Sequence, residues 1–273
     1  MKSALLLGGT GFISHHLARR LKSEGFWVRC VDIKMYEYGP NDFCDEYMYF
    51  DLRNQNNYQV LIHSFEKHKP RHFDEVYQLA ADMGGAGFVF TGEHDADIMH
   101  NSATINLNVL DQLAKMEFKG KIFYSSSACM YPQEIQNDYN NQGLREDDAY
   151  PGNPDSEYGW EKLFSERLYF AYARNKGLDV RVARFHNIFG PEGTYKGGRE
   201  KAPAAMCRKA IESDWIMEVW GTGHQTRSFL YIDDCVDAVR LLMESDFQGP
   251  VNIGSEEMVT INQLAKMAID ISG

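Results

Sequence analysis

The chain has 273 residues, 44% of them hydrophobic and 25% charged, with a formal net charge of -11 at pH 7. That length can bury a large core in one big domain or two small ones, the ordinary composition excludes disordered and fibrous classes, and the acidic balance disfavours a nucleic-acid backbone as partner. Five scattered cysteines suit a reduced compartment rather than a disulfide framework, and neither a signal-like segment nor an apolar run of about 18 residues occurs, so a cytoplasmic protein without membrane contact is expected.

Residues 3 to 7 read as a buried strand, followed by the turn Gly8-Gly-Thr-Gly11 and a helix whose apolar positions Phe12, Ile13, Leu17 and Leu21 keep helical spacing. Strand, glycine turn and helix make a dinucleotide-binding start, because glycines let the backbone approach a pyrophosphate at the positive end of the helix. Ser14 stands where a third glycine would. The strand Phe26 to Val31 ends in Asp32, placed to accept hydrogen bonds from the adenosine ribose, which favours NAD over NADP. Tyr47 to Phe50 is predicted as a strand ending at Asp51, a candidate for the adenine edge, and Tyr58 to Phe65 as a helix. The basic run Lys67 to His72 reads as a solvated helix end. Phe73 to Leu79 is a further strand, and the small residues from Ala80 to Gly87 allow close approach by a cofactor or substrate, or form a flexible loop. A long helix is expected over 96 to 116.

The next stretch has the character of a site. A strand from Ile122 delivers the Ser127 hydroxyl and the Cys129 thiol at its end, and a helix presents the Tyr158 phenol and the Lys162 ammonium on one face. Positive charge one turn from a phenol favours the phenolate and moves Tyr158 toward a general base for an alcohol proton, with Ser127 holding the same oxygen. The same spacing also occurs on solvated helices. Leu178 to Pro191 is a strand that turns polar at His186. Strands alternating with helices imply a parallel sheet whose ligands sit beyond the strand C-termini, so Gly8, Asp32, Ala80, Ser127, Cys129 and His186 should converge on one crevice.

From Gly193 the character changes. Gly193 to Lys201 is a glycine-rich basic loop, a phosphate clamp or a solvated turn, before a helix over Pro203 to Ile211. Met217 to Trp220 reads as a short strand, Arg227 as a second phosphate partner, Asp233 to Met243 as a helix and Val251 to Gly254 as a small strand. Thr260 should cap a helix running through Ile271. The expected architecture is α/β: a Rossmann-type doubly wound parallel sheet over 1–190, with 229–254 partly packing back on it. A smaller substrate-binding lobe of 191–228 and 255–273 is expected to be incomplete at its C-terminus. No metal is expected, since no histidines have ligand spacing and His15 and His16, being adjacent, should point apart.

The Gly8/Gly11 turn with Ser127, Tyr158 and Lys162 resembles the extended short-chain dehydrogenase/reductase family, which includes nucleotide-sugar epimerases and dehydratases. Longer motifs, Ala80 to Phe88, Ser126 to Pro132, Arg184 to Asn187, Thr194 to Ala205 and Gln225 to Phe229, are similar to its branch that epimerises GDP-mannose at C3' and C5'. The resemblance spans nearly all of the chain and implies a homodimer with tightly bound NAD. It would place NAD against Gly8, Gly11, Phe12, Ile13 and Asp32, then Asp51, Leu52, Ala80 and Ala81, and finally Tyr158 and Lys162. The nucleotide sugar would meet Met83, Gly87, Ser127, Cys129 and Asn187, with Lys196, Arg199, Lys201, Lys209, Gln225 and Arg227 around its polar end. The resemblance further implies that Tyr158, helped by Lys162 and Ser127, takes the 4'-hydroxyl proton, and that Cys129 and Lys196 act as acid and base at C3' and C5'. The products would be GDP-L-galactose and GDP-L-gulose. Family members continue past the position of Gly273. The alternatives are a 4-epimerase or 4,6-dehydratase of another nucleotide sugar, or an inert dinucleotide-binding interaction protein; Ala128-Cys129 lacks the acidic residues a dehydratase would place beside the serine.

Overall fold

The computed structural model describes residues 1–55, 73–136, 143–214 and 216–272. The expected helix from Tyr58 to Phe65 and the basic run Lys67 to His72 lie outside those residues.

Short runs, apolar and buried on both faces in the central strands and half-buried at the edges, build a parallel sheet. Its strands are β1 (Ser3–Leu7), β2 (Trp27–Asp32), β3 (Glu46–Tyr49), β4 (Glu75–Gln78), β5 (Lys121–Ser127), β6 (Asp179–Phe185) and β9 (Val251–Ile253). They pair in the order β3-β2-β1-β4-β5-β6-β9, every pair parallel. Strand order reverses between β1 and β4, so a ligand crevice opens at their C-terminal ends.

Alternation along each strand divides the core. Leu6, Val28, Tyr77 and Phe123 face Leu17 and Leu21 of α1 (Phe12–Ser23) and Val236 and Val239 of α5 (Ile232–Glu244). Leu5, Leu7, Val76 and Ile122 face Val109 and Leu113 of α2 (Asp95–Lys115) and Tyr169 of α3 (Glu157–Lys176). A polar layer fixes α2 to α3: the Asn106 amide donates to Glu161 and to Ser165, each at 3.1 Å, while Gln78 at the end of β4 donates to Asn106 at 3.0 Å.

A second sheet is formed by β7 (Asn187–Phe189) parallel to β8 (Thr226–Tyr231), with β10 (Met258–Thr260) antiparallel to β8. Beside it, α4 (Ala202–Glu212) and α6 (Ile261–Ser272) share a small core of Met206, Ile261, Ala265 and Ala268. Thr260 caps α6 as expected, accepting from the Gln263 amide at 3.0 Å while the Gln263 side chain accepts from the Thr260 amide at 2.7 Å.

Two expectations fail. Met217 to Trp220 is not a strand; Met217 and Val219 are apolar because they pack on the α4/α6 core, and the nearby strand is β8. His15 and His16 do not point apart: their ring centroids lie 4.4 Å from each other. The His15 ring turns back to the Gly11 carbonyl at 3.0 Å, and the His16 ring reaches the Pro191 carbonyl at 3.1 Å. With Glu192 they form a cluster of possible metal-ligand atoms within 4.8 Å of one another. Arg19 at 2.8 Å and the Tyr36 hydroxyl at 2.6 Å already engage that carboxylate, and the guanidinium opposes a second cation there.

Among the described residues, no helix is long and apolar enough to cross a membrane.

The buried Arg184 on β6 braces the turn that follows β5. It donates to both carboxylate oxygens of Glu166 on α3, at 2.6 and 3.0 Å, to the Tyr131 hydroxyl at 2.9 Å and to the Glu146 carbonyl at 2.7 Å. Tyr131 in turn donates to Asn252 on β9 at 2.8 Å. Glu166→Ala would strand this guanidinium, and urea unfolding should register a loss of about 3–5 kcal/mol; a loss below about 1 kcal/mol would show that water compensates the charge.

Candidate active site

The glycine turn is shaped by contact between two strand ends. Gly8 has φ +78°, and a Cβ there would lie 2.8 Å from the Ala80 backbone, so only glycine lets the ends of β1 and β4 touch. The first turn of α1 carries neither a side-chain cap nor an acidic residue, which leaves its amides and positive dipole end available to an anion. The Asp32 carboxylate lies against this turn, accepting from the amides of Thr10 and Lys34, each at 3.1 Å.

Other residues expected around the cofactor are placed less directly. The Phe12 side chain faces Gly190 and Gly193, so only its backbone belongs to the turn. Ile13 packs at the edge of the α1 core, and Leu52 is buried in the core on the opposite face. Asp51 is gripped by the Arg53 guanidinium at 2.7 to 3.1 Å. Ala80 and Ala81 follow β4, where Ala80 exchanges hydrogen bonds with the Gln78 side chain.

At the end of β5 the Ser127 hydroxyl accepts from the Cys129 amide at 3.2 Å, closing a tight turn that aims the thiol. The N-terminus of α3 is pressed onto that turn: a Cβ at Gly159 would stand 2.2 Å from the Cys129 carbonyl oxygen. Ser156 caps α3, accepting from the Gly159 amide at 3.3 Å, and the helix brings Tyr158 against Cys129, Met83 and Phe88. Lys162 donates to the Ser125 carbonyl at 2.8 Å, with its ammonium 5.6 Å from the centre of the Tyr158 ring.

Burial governs the charge states here. It pushes the Tyr158 phenol up, Cys129 adds to this, and only the hydrogen bond with Ser127 opposes it. Burial likewise pushes Lys162 below its ordinary range. The phenolate expected from Lys162 alone is therefore not favoured by the protein's own groups.

The loop Gly193 to Lys201 separates its two lysines. Lys196 is exposed, its ammonium 5.3 Å from the Tyr195 ring centre. Lys201 is the lysine whose charge acts on Cys129: burial lowers its pKa and the thiol opposes that shift. Burial raises Cys129, while the Ser127 hydrogen bond and the charges of Lys201 and Arg227 lower it.

Arg199 is committed elsewhere, donating to the Met83 carbonyl at 3.0 Å and to Asp82 at 3.3 Å, with its guanidinium 3.7 Å from the Phe88 ring centre. Gly87 lies near the Gly198 carbonyl in the same contact between loops. Asn187 donates to the Ser228 carbonyl and Gln225 to the Trp220 carbonyl within the second sheet and its loops, and Lys209 on α4 donates to the Glu218 carbonyl. Arg227 is exposed on β8.

Residues 4–254 match the NAD dependent epimerase/dehydratase family. The chain is 46% identical over 265 residues to GDP-mannose 3,5-epimerase of Arabidopsis thaliana, covering 97% of this chain and 67% of that one. It is 47% identical to GDP-mannose 3,5-epimerase 1 of Oryza sativa subsp. indica with the same coverage. Among solved structures, UDP-glucose 4-epimerase of Thermotoga maritima with UDP-glucose superposes with a TM-score of 0.80 at 25% identity, over 99% of this chain and 82% of that one. The chain belongs to the NAD dependent epimerase/dehydratase family. It spans about two thirds of the length of the curated relatives.

Membership of the NAD dependent epimerase/dehydratase family makes the protein an enzyme that isomerises a sugar, with NAD as cofactor. The uncapped helix end, the glycine contact and the carboxylate closing β2 fit a dinucleotide. Two acidic residues beside the crevice escaped the sequence reading. Asp155 and Glu200 each keep a buried carboxylate oxygen without a hydrogen-bond partner, as does the His186 ring nitrogen at the end of β6. Asp155 stands in a Pro-Asp-Ser sequence that signals only a helix start, and Glu200 is one charge among several in its loop.

Because burial holds Cys129 as a thiol, iodoacetamide at about pH 7.5 should alkylate exposed Cys207 roughly tenfold faster. The gap should narrow at alkaline pH as the Cys129 thiolate forms. Peptide mass spectrometry reads both rates, and equal rates at neutral pH would contradict a protonated Cys129.

Proposed function

We propose that the enzyme epimerises GDP-mannose at C3' and C5' through a 4-keto sugar, giving GDP-L-galactose with GDP-L-gulose as by-product. The observation carrying this reading is that the Cys129 thiol packs against Tyr158 at the strand ends, and it is supported by the Lys201 charge, which lowers the thiol's pKa as the thiol raises that of the amine. A 4-epimerase needs the serine, tyrosine and lysine alone, and the thiol–amine pair would then be idle. The crevice, the second sheet and the α4/α6 core together form the nucleotide-sugar lobe in this proposal.

Tyr158, steadied by Ser127, takes the 4'-hydroxyl proton, and Lys162 supplies one of the cations that make this affordable in a buried site. NAD, when bound, would supply an acceptor for the C4' hydride that gives the hydride back once the carbons are inverted, and a positive charge. A carbonyl at C4' acidifies the hydrogens at C3' and C5', bringing them within reach of side-chain bases. Cys129 and Lys201 then serve the two faces of the sugar: one withdraws a proton and the other returns one, which inverts the carbon. Burial disfavours the charged form of each, whereas their mutual attraction favours thiolate with ammonium. Opposed terms of this kind bring the proton-transfer states closer in energy, as a reversible epimerisation requires. The acid/base role that the family resemblance gave to Lys196 passes here to Lys201. Arg227, exposed and charged beside the crevice, is the proposed diphosphate partner, with Lys209 and Gln225 behind it.

NMR of GDP-mannose turned over in deuterated water tests the reading. Deuterium is expected at C3' and C5' with inversion; label at C4' alone, a 4-keto-6-deoxy product or unchanged sugar would sink it. Cys129→Ala and Lys201→Ala should each slow exchange about 10²- to 10⁴-fold with NAD still bound, while Lys196→Ala stays close to wild type.

We further propose a homodimer and a cytoplasmic site of action. Leu107 on α2 and Trp160 and Phe164 on α3 are exposed apolar side chains on adjacent helices, beside a groove of about 400 Å³ lined by Tyr150, Phe164 and Leu168. Sedimentation velocity should give a dimer for the wild type and a monomer for Phe164→Asp; an unchanged profile would place the interface elsewhere.

A further inference from the structure

Asp155 lies outside the proton-transfer set described above, yet it faces the same space. Its turn packs directly on the thiol's turn: the Cβ that Gly159 lacks would sit 2.2 Å from the Cys129 carbonyl oxygen and 2.7 Å from the Cβ of Pro154. The Asp155 charge acts on Cys129, and the Arg227 charge acts on both. Helix capping does not consume this carboxylate, because Ser156 is the residue that accepts from the Gly159 amide. Nor is a hydrogen bond from Arg227 in place; its Nη1 donates to the Thr226 carbonyl at 2.8 Å. The Asp155 amide and the Ser156 side chain hydrogen-bond to this carboxylate, yet its Oδ1 stays buried and without a hydrogen-bond partner, in the crevice read above as a nucleotide-sugar site. A buried acceptor left unmade is costly, so an acceptor in this position implies a donor that arrives with the ligand.

We infer that Asp155 is a specificity-determining contact, its buried oxygen accepting a hydrogen bond from a hydroxyl of a neutral hexose held beside Cys129, and its charge rejecting a sugar that carries a carboxylate there. The inference rests on the reading of the crevice as a nucleotide-sugar site and narrows it to neutral hexoses. Burial raises the Asp155 pKa, its hydrogen bonds and the Arg227 charge oppose that rise, and the poor hydration of the carboxylate is what makes a second anion unwelcome. A site that hydrogen-bonds a substrate hydroxyl discriminates strongly, because an analogue without the group leaves a buried polar atom unpaired.

The experiment compares NAD-loaded wild type, Asp155→Asn and Asp155→Ser in calorimetric titrations with GDP-mannose, UDP-glucose and UDP-glucuronate, and with 2-deoxy and 6-deoxy forms of GDP-mannose. For the hexose that wild type binds, Asp155→Asn is expected to weaken binding about 10- to 100-fold, and UDP-glucuronate should gain affinity in the same variant. The hexose used for the deoxy comparison is GDP-mannose; one deoxy form should bind wild type and Asp155→Ser equally well, which identifies the partner hydroxyl. Deuterium exchange should show the change mainly in KM rather than kcat. Hexose affinity unchanged in both variants, or equal losses on hexose, uronate and deoxy sugars, would overturn the inference. Wild type that binds UDP-glucose but not GDP-mannose would sink the substrate reading alone, since Asp155 is then judged on UDP-glucose and UDP-glucuronate. Wild type that binds none of these sugars overturns both.

Discussion

Removing several titratable side chains from water at one strand end is the constraint on which the rest of the crevice depends. Tyr158, Lys162, Cys129 and Lys201 all carry shifts in which burial is the largest cause. Each shift runs toward the neutral form, as expected where the charged form has lost its hydration. The neighbours supply local compensation instead: a carbonyl for the Lys162 ammonium, a hydroxyl for the Tyr158 phenol and a nearby thiol for Lys201. A parallel sheet suits this arrangement, because helices cover both its faces and only the strand ends stay open to ligand.

Holding such groups in register requires the turns between strand and helix to be rigid, and the fold achieves this with buried polar nodes. Arg184 gathers β6, α3, the turn after β5 and, through Tyr131, β9. Asn106 performs the same task between β4, α2 and α3. Both nodes lie near catalytic candidates and touch none of the sugar-facing atoms assigned above, so their value is positional. A half-satisfied network would be worse than an apolar one, which explains why most of their donors and acceptors are used.

The parts legible in the sequence were those whose structure is local. Strand, glycine turn and helix around Gly8, the carboxylate at Asp32, and Tyr158 four residues before Lys162 are fixed by short-range geometry, and they fold as read. Lys196 and Lys201 could not be separated that way: they sit five positions apart in one aperiodic loop, and composition treats them alike. The loop docks through the Gly85 amide bonded to the Arg199 carbonyl at 2.9 Å, with Lys196 left exposed and Lys201 half-buried. The alternation at Met217 and Val219 misled for a related reason, since a loop crossing an apolar patch shows the same pattern as a strand.

The commitment of Arg199 alters where substrate charge can be met. Its guanidinium stacks on Phe88 and binds Asp82 and the Met83 carbonyl, tying the loop after β4 to the loop that carries Lys201. Phe88 also packs with Tyr158, Met83 and Cys129, so the brace reaches the reacting residues through one apolar cluster. An arginine spent in this way gives little further attraction to a diphosphate, because its charge is already shared with Asp82. In the proposed function, recognition of the anion falls to Arg227 on the second sheet, while Arg199 ties the loop that carries Lys201 to the loop after β4. One cation thus braces two loops against the apolar cluster of Tyr158 and Cys129, and in the proposed function another is left to meet the substrate's charge.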